Sequence, residues 1–248
     1  MSASKDDLNL KEFLKRGVED DLDKFKILTE WTESEKIQFS KLLEELKKPF
    51  DKNQTTTKEK GDRLENLVSF IINNSYFFKV FKNVHTATNE IDEVVVFTDE
   101  GKQALQKFNL CRDLIPIDSE IFLGECKNYA SPLGVTYVGK FYSLMTATGN
   151  SFGIIFTQKG LTGSEIEYKD AYGLTKVIRI IEQAKNNCDF YILTFTLEDY
   201  EELLNGKTFF EIIKAKKTAL QISSDYHTFL KDNVHESEPQ VKQIIHEI

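Results

Sequence analysis

The amino-acid sequence predicts an α/β protein with a central mixed β-sheet flanked by helices, preceded by an N-terminal helical lobe. Two observations support this fold class. Apolar residues before residue 50 follow helical spacing, whereas from Gly61 onward short β-branched segments alternate with longer amphipathic ones. Strands that alternate with helices after an opening hairpin indicate a sheet with both antiparallel and parallel pairs. We therefore divide the chain into a helical lobe with a linker (1–58), an α/β domain (59–222) and a C-terminal tail (223–248).

The N-terminal lobe is predicted to be helical between residues 8 and 48. Apolar residues from Leu8 to Leu14 have the spacing of an amphipathic helix. Thr32-x-x-Glu35 has the pattern of a capping box and opens a second helical run, which Pro49 ends. The polar segment 51–58 lacks periodicity and predicts a linker.

In the α/β domain, the periodicity predicts a helix, a hairpin and then strands separated by helices. The predicted strands are 76–84, 91–97, 121–127, 153–157 and 190–196. The predicted helices are 64–74, 103–108, 138–148, 165–185 and 208–222. A polar insert, 98–120, lengthens the hairpin and leaves the pairing of the second and third strands open.

Composition excludes several classes of protein. With 248 residues and 40% hydrophobic residues, the chain can build a sizeable core, which excludes wholesale disorder. No apolar run approaches the roughly 18 residues that span a bilayer, and the polar N-terminus lacks a secretion signal. The cysteines and histidines show no zinc-ligand spacing. We expect a cytoplasmic protein without a membrane partner.

Net charge limits how a nucleic acid could be bound. Because the formal charge is −8, the global electrostatic field would repel a polyanion. Any nucleic-acid partner must therefore be held by a local patch, by a metal ion or by an oligomer.

The most informative segment for chemistry lies at the end of the third predicted strand. Side chains alternate along a strand, so Glu125 and Lys127 share one face with the apolar Ile121 and Leu123. Burying either charge without a partner is costly, so this strand end is expected to meet solvent, a counter-charge or a metal. The alternative is an ion pair at a sheet edge, worth about 0–1 kcal/mol.

Two more carboxylates extend this pattern. Asp92 leads directly into a run of valines although aspartate is a poor strand residue, and Glu65 lies beside the apolar stripe of its helix. Each has a structural alternative, a strand-start aspartate near a turn and a boundary glutamate that points to solvent. Together the three carboxylates offer the oxygen ligands that Mg²⁺ prefers, and a nearby lysine can orient water and stabilise developing negative charge.

These residues, in this order of elements, resemble the PD-(D/E)XK nuclease superfamily. More narrowly, Gly124-Glu-Cys-Lys-Asn-Tyr129, Val138-Gly-Lys-Phe141 and Gly153-Ile-Ile-Phe-Thr157 are similar to the restriction-endonuclease-like core of Mrr-type enzymes. The resemblance covers residues 61–205. Two features depart from the family pattern, because Ile91 rather than proline precedes Asp92 and because the insert lengthens the hairpin.

The resemblance implies a role for each matching residue. Asp92 and Glu125 would be the metal-ligating carboxylates, with the backbone carbonyl of Cys126 as a further ligand. Glu65 would be the first-helix acid, contacting the metal directly or through water, and Lys127 would be the catalytic lysine. The implied cofactor is Mg²⁺, with Mn²⁺ as a substitute. Two lysines are implied as nucleic-acid contacts, Lys140 and Lys159.

The implied activity is that of a metal-dependent endonuclease that hydrolyses phosphodiester bonds by in-line attack of a metal-activated water. DNA is the expected substrate, and RNA is not excluded. By analogy, the resemblance suggests a homodimer, a role in restriction or anti-phage defence, and a defence-system partner protein. The alternative is a catalytically inactive module of the same fold that binds nucleic acid or a partner protein.

Two narrower expectations follow from charge. Lys214, Lys216 and Lys217 cluster on the last predicted helix, where they could form a solvated face or contact a DNA backbone. Replacing Asp92 by alanine could stabilise the metal-free protein, because it would relieve repulsion between carboxylates.

Overall fold

The computed structural model describes residues 5–49, 56–85, 90–164 and 168–222. The predicted tail at 223–248 lies outside these described residues. The helices are α1 (Lys5–Thr29), α2 (Glu33–Lys47), α3 (Thr57–Asn73), α4 (Asp99–Lys107), α5 (Val135–Ala147), α6 (Asp170–Asn186), α7 (Leu197–Leu204) and α8 (Phe209–Ile222). The strands are β1 (Phe78–His85), β2 (Glu90–Phe97), β3 (Ile121–Lys127), β4 (Phe152–Thr157) and β5 (Tyr191–Phe195).

The strands form a five-stranded mixed sheet in the order β1-β2-β3-β4-β5. The pairs β1/β2 and β2/β3 are antiparallel, and the pairs β3/β4 and β4/β5 are parallel. Each parallel pair is joined by a helix, α5 or α6, because parallel neighbours need a crossover connection. The predicted α/β class with a mixed sheet flanked by helices is confirmed.

Helices cover both faces of the sheet. On one face, α2, α3, α7 and α8 pack with β-strand residues in one hydrophobic cluster, whose members include Leu67 of α3 and Phe122 of β3. On the other face, α5 and α6 form a second cluster, with Phe141 of α5 and Leu123 of β3. All residues of β4 and β5 are buried, as is typical of parallel strands with helices on both sides.

The N-terminal helices extend the first of these layers. Phe39, Leu43 and Leu46 of α2 are buried in the same cluster as α3, and Phe25 and Leu28 of α1 pack against it. The predicted capping box Thr32-x-x-Glu35 is present at the start of α2. The helical content of 8–48 is therefore as predicted, and α2 shares its core with the sheet domain.

Several element boundaries differ from the sequence prediction, most by one to four residues, and three differences are larger. A second capping box, Thr56-x-x-Glu59, begins α3 inside the predicted linker, whose residues 51–55 lie outside the described residues. Helix α6 begins at Asp170 rather than at 165, and 165–167 are outside the description. Helix α7 was not predicted; Thr196 and Asp199 form its capping box directly after β5.

The lysines of α8 do not form the uniform surface that the sequence suggested. Lys216 is 6% exposed and its Nζ lies 3.0 Å from Oδ1 of the fully buried Asp199 in α7. Lys217 reaches Asp118, with Nζ 3.2 Å from Oδ2. Because Lys216 is buried, both interpretations of the three lysines, a solvated face and a contact with a DNA backbone, are wrong for this residue.

Candidate functional site

The candidate site lies where β2 and β3 separate. The antiparallel register between the two strands ends at the pair Glu93 and Gly124. One residue beyond it on β2, the Asp92 carboxylate accepts a hydrogen bond from the backbone N–H of Cys126, with Oδ2 3.1 Å from the nitrogen. The Asp92 side chain therefore bridges the two strands at the point where their ladder ends.

Lys127 joins two carboxylates at this point. Its Nζ lies 2.8 Å from Oδ2 of Asp92 and 2.8 Å from Oε1 of Glu125. The three side chains are 21–24% exposed. Alternation along β3 puts Glu125 and Lys127 on the same face, as the sequence predicts, and the antiparallel neighbour β2 supplies Asp92. Asp92 is thus brought together with two residues that follow it by 33 and 35 positions. We call Asp92, Glu125 and Lys127 the acid–lysine cluster.

Electrostatics within the acid–lysine cluster follow from its partial burial. Burial raises the pKa of Glu125, repulsion from Asp92 raises it further, and Lys127 opposes both. Burial by itself lowers the pKa of Lys127, but the charge of Glu125 and hydrogen bonds to both carboxylates outweigh it and raise that pKa. The lysine is therefore held as an ammonium ion between two carboxylates.

Glu65 approaches the cluster from α3 without joining it. Its Oε2 lies 4.0 Å from Nζ of Lys82 on β1, and its side chain is 22% exposed. Burial raises the pKa of Glu65; Lys82 lowers it and the charge of Asp92 raises it. The predicted first-helix acid is thus near the cluster but is paired with Lys82.

The two lysines implied as nucleic-acid contacts occupy different positions. Lys140 of α5 lines an open groove together with Glu125 and Ser143, and its charge lowers the pKa of Glu125. Lys159 is exposed in the turn after β4, where its backbone N–H donates to Oγ1 of Thr157. Lys140 therefore borders the cluster, and Lys159 stays a prediction.

The Cys126 side chain points to the opposite face of β3 from the cluster. It is 8% exposed and belongs to the core beneath α3 and α8. Burial raises the pKa of its thiol, which keeps it neutral and argues against a nucleophilic role. The implied role of its backbone carbonyl as a metal ligand stays a prediction.

Sequence reasoning missed a buried acid next to the cluster. Glu93 is 0% exposed, and neither carboxylate oxygen has a hydrogen-bond partner of normal geometry among the described residues. Burial raises its pKa to about 8, against the opposing charge of Lys82 and the Cys126 thiol. The facing residue is Gly124, where a Cβ would lie 3.2 Å from Oε2 of Glu93. The available signal was a glutamate on the same strand face as Val95, opposite a glycine.

The carboxylate oxygens of Asp92 and Glu125 suit a hard cation that takes its other ligands from substrate and water. Within the described residues, no group of three or more His, Cys, Asp or Glu side chains is arranged to hold a metal ion. Asp92 and Glu125 nonetheless hold one cation between them, the Lys127 ammonium. Mg²⁺ is commonly bound by one or two carboxylates together with water and phosphate oxygens, so this pair fits it.

No helix of the described residues is long and apolar enough to cross a membrane. Comparisons of the chain with protein-family models, with curated proteins and with solved structures find no match.

Proposed function

We propose that this protein is a metal-dependent nuclease with a restriction-endonuclease-like, PD-(D/E)XK core. The observation that carries the proposal is the acid–lysine cluster, in which Lys127 Nζ lies 2.8 Å from each of two carboxylates on adjacent strands. A mixed sheet that places a helix acid, Glu65, beside the same strand end supports it further.

Each residue of the acid–lysine cluster would have its own role in phosphodiester hydrolysis. Asp92 and Glu125 would hold Mg²⁺, which when bound supplies positive charge that activates water and offsets charge on the scissile phosphate. Lys127 would leave its present carboxylate partners in part and donate a hydrogen bond to the attacking water or to a phosphate oxygen. Because its pKa is raised, it would act as a fixed cation and not as a general base.

Neighbouring residues would position the substrate and the acids. The backbone N–H of Cys126 fixes the orientation of the Asp92 carboxylate through its hydrogen bond. Lys140, which borders the groove beside Glu125, would contact a phosphate next to the scissile one. Glu65 would act through its interaction with Lys82 and the charge it adds near Asp92.

The finer parts of the proposal concern substrate and setting. We propose DNA as the substrate and leave RNA as an outcome of the test. A homodimer and a role in defence with a partner protein belong to the same proposal by analogy with the family it resembles. A cytoplasmic location is proposed from the composition of the chain.

The test is a cleavage assay on four substrates: supercoiled plasmid, linear duplex, single-stranded DNA and RNA. Each is incubated with Mg²⁺, Mn²⁺ or EDTA. We expect wild-type protein to cut at least one substrate with metal and none with EDTA, and Lys127→Ala to cut none. As a matched control, Lys102→Ala removes a lysine that pairs with Glu120 outside the cluster and should keep full activity. Cleavage that persists in EDTA or in purified Lys127→Ala protein would refute the assignment.

A lack of cleavage under all conditions would favour the alternative, a module of this fold that binds without catalysis. Metal-dependent thermal stabilisation separates the two cases. An active site awaiting an activator should be stabilised by Mn²⁺, whereas a non-catalytic module should not.

A further inference from the structure

A pair of tyrosine rings, one exposed and one partly buried, lies beside the acid–lysine cluster and has no part in the proposed hydrolysis. Tyr129 follows Lys127 by two residues, and its ring centroid lies 5.5 Å from that of Tyr137 at an interplanar angle of 50°. Tyr129 is 41% exposed. A hydrogen bond between the Tyr129 and Tyr137 hydroxyls is the main cause of the raised pKa of Tyr129, and the charges of Lys127 and Glu125 also act on it. The tyrosine pair is therefore close to the cluster.

The two tyrosines are held differently. Tyr137 is partly buried and packs against the core under α5, so its position is fixed by the fold. Tyr129 lies after the end of β3, and its ring packs against that of Tyr137 in a tilted arrangement. A single exposed aromatic ring would need no explanation. Here, however, an anchored ring supports an exposed one next to a charged cluster, and such a pair offers a rigid stacking surface.

Helix α5 places a cation next to this surface. Tyr137 and Lys140 are three residues apart, so they lie on the same side of α5 and about 4.5 Å apart along its axis. Lys140, Ser143 and Glu125 line the groove that runs along α5. An aromatic ring, a cation and a hydroxyl thus follow one another along one helix, beside the cluster proposed to act on phosphate.

Charge determines what kind of ligand fits this arrangement. Since the chain carries a net charge of −8, phosphate contacts over a long duplex are a weak source of affinity. Stacking of bases on aromatic rings provides affinity without positive charge, and it requires a base whose face is open. Bases in a regular duplex are already stacked on their neighbours.

We propose that Tyr129 and Tyr137 form a stacking platform for an unpaired base and direct the nuclease to single-stranded or locally unpaired nucleic acid. Lys140 contacts the adjacent phosphate. This inference rests on the proposed function, because it takes the acid–lysine cluster as the place where the phosphate is bound.

The test measures binding in EDTA and at low salt, so that it does not depend on cleavage. The probes are fluorescently labelled oligonucleotides of one sequence: single-stranded DNA, single-stranded RNA, duplex DNA, and single-stranded DNA with abasic sites that keeps all phosphates. The variants are Tyr129→Ala, which removes the exposed ring, and Tyr129→Phe, which keeps it. Tyr76→Ala is the control, since Tyr76 is 42% exposed and lies just before Phe78, which pairs with Phe97 at the end of β2 far from Asp92.

We expect wild-type protein to bind the single strands more tightly than the duplex or the abasic strand. Tyr129→Ala should weaken single-strand binding about 5- to 100-fold, with Tyr129→Phe and Tyr76→Ala close to wild type. Comparing the affinities for the single-stranded DNA and RNA probes shows whether the site prefers deoxyribose or ribose. Equal binding of single strands by Tyr129→Ala and wild type, tighter binding of the duplex, or no binding of any probe would overturn the platform. If the protein cleaves no substrate but Tyr129→Ala still weakens single-strand binding, the proposed nuclease activity is contradicted and the stacking platform is supported.

Discussion

Glu93→Gln is expected to stabilise the protein in a way that depends on pH. The side chain is 0% exposed and its carboxylate oxygens lack hydrogen-bond partners of normal geometry among the described residues. Burial raises its pKa from an ordinary value near 4.5 to about 8. Because the pKa is higher in the folded state, the folded chain holds a proton between these two values that the unfolded chain releases. Stability should therefore fall as the pH rises from 4.5 to 8 and level off above it.

The size of this effect follows from the pKa difference. One pKa unit corresponds to about 1.4 kcal/mol, so the contribution of Glu93 to the free energy of unfolding decreases by about 3 kcal/mol between pH 4.5 and 7. It decreases by a further ~1–2 kcal/mol as the pH reaches 8. Glutamine has nearly the same shape and does not ionise. The stability difference between Glu93→Gln and wild type should thus be small at pH 4 and about 3 kcal/mol in favour of the variant at pH 7.

Urea denaturation from pH 4 to 9 measures this difference. The single tryptophan, Trp31, reports unfolding, because its ring packs on Phe39 and Phe70 and its Nε1 donates to the carbonyl of Asn74, 3.2 Å away. Glu120→Gln is the control, since the Glu120 side chain is 67% exposed and pairs with surface Lys102. A stability difference between Glu93→Gln and wild type that stays constant across this pH range would refute the assignment of a buried, neutral Glu93.

Three further predictions concern the same strand ends. Asp92→Ala should destabilise the protein by about 2 kcal/mol in urea denaturation, because Oδ2 of Asp92 accepts hydrogen bonds from both Lys127 and the Cys126 N–H. This is the opposite of the sequence expectation, which considered only repulsion between carboxylates, and equal or higher stability of the variant would contradict it. Gly124→Ala should cost about 1–3 kcal/mol by the same assay, since its Cβ would lie 3.1 Å from the Cβ and 3.2 Å from Oε2 of Glu93. Glu93→Ala, which removes the carboxylate but keeps the Cβ, should recover part of that loss; additive losses would show that the two sites are independent. Each of Lys216→Met and Asp199→Leu breaks a buried ion pair, but Asp199→Leu should be the more damaging, because it also removes the carboxylate that accepts from the Thr196 N–H in the capping box of α7; the order of the two melting temperatures decides it.

The sequence predicted the sheet well because its strands have clear local signals. The bounds of β3 agree with prediction at both ends, since polar residues flank this segment on both sides. Antiparallel pairing of β2 with β3 could not be read from the chain, because the insert between them separates the strands with its own helix, α4.

The sequence prediction fails for charged residues whose burial depends on a contact with a distant part of the chain. Lys216 has the local pattern of a surface lysine, and its burial depends on Asp199 of α7, a helix too short to give a periodic signal. Alternation along β2 puts Glu93 on the face opposite Asp92, but its complete burial depends on how α3 covers that face. The convergence of Asp92 with Glu125 and Lys127 came from the family resemblance and the element order, not from spacing.

Calorimetric titration with Mn²⁺ tests the central claim, that the acid–lysine cluster is a metal-dependent site, without knowledge of the substrate. Wild-type protein should bind the ion, and Asp92→Asn and Glu125→Gln should each lose most of that binding. Lys127→Ala should bind Mn²⁺ at least as tightly as wild type, because the ammonium that lies 2.8 Å from both carboxylates no longer competes for them. An absence of binding by wild type, or binding that survives in both carboxylate variants, would contradict the account.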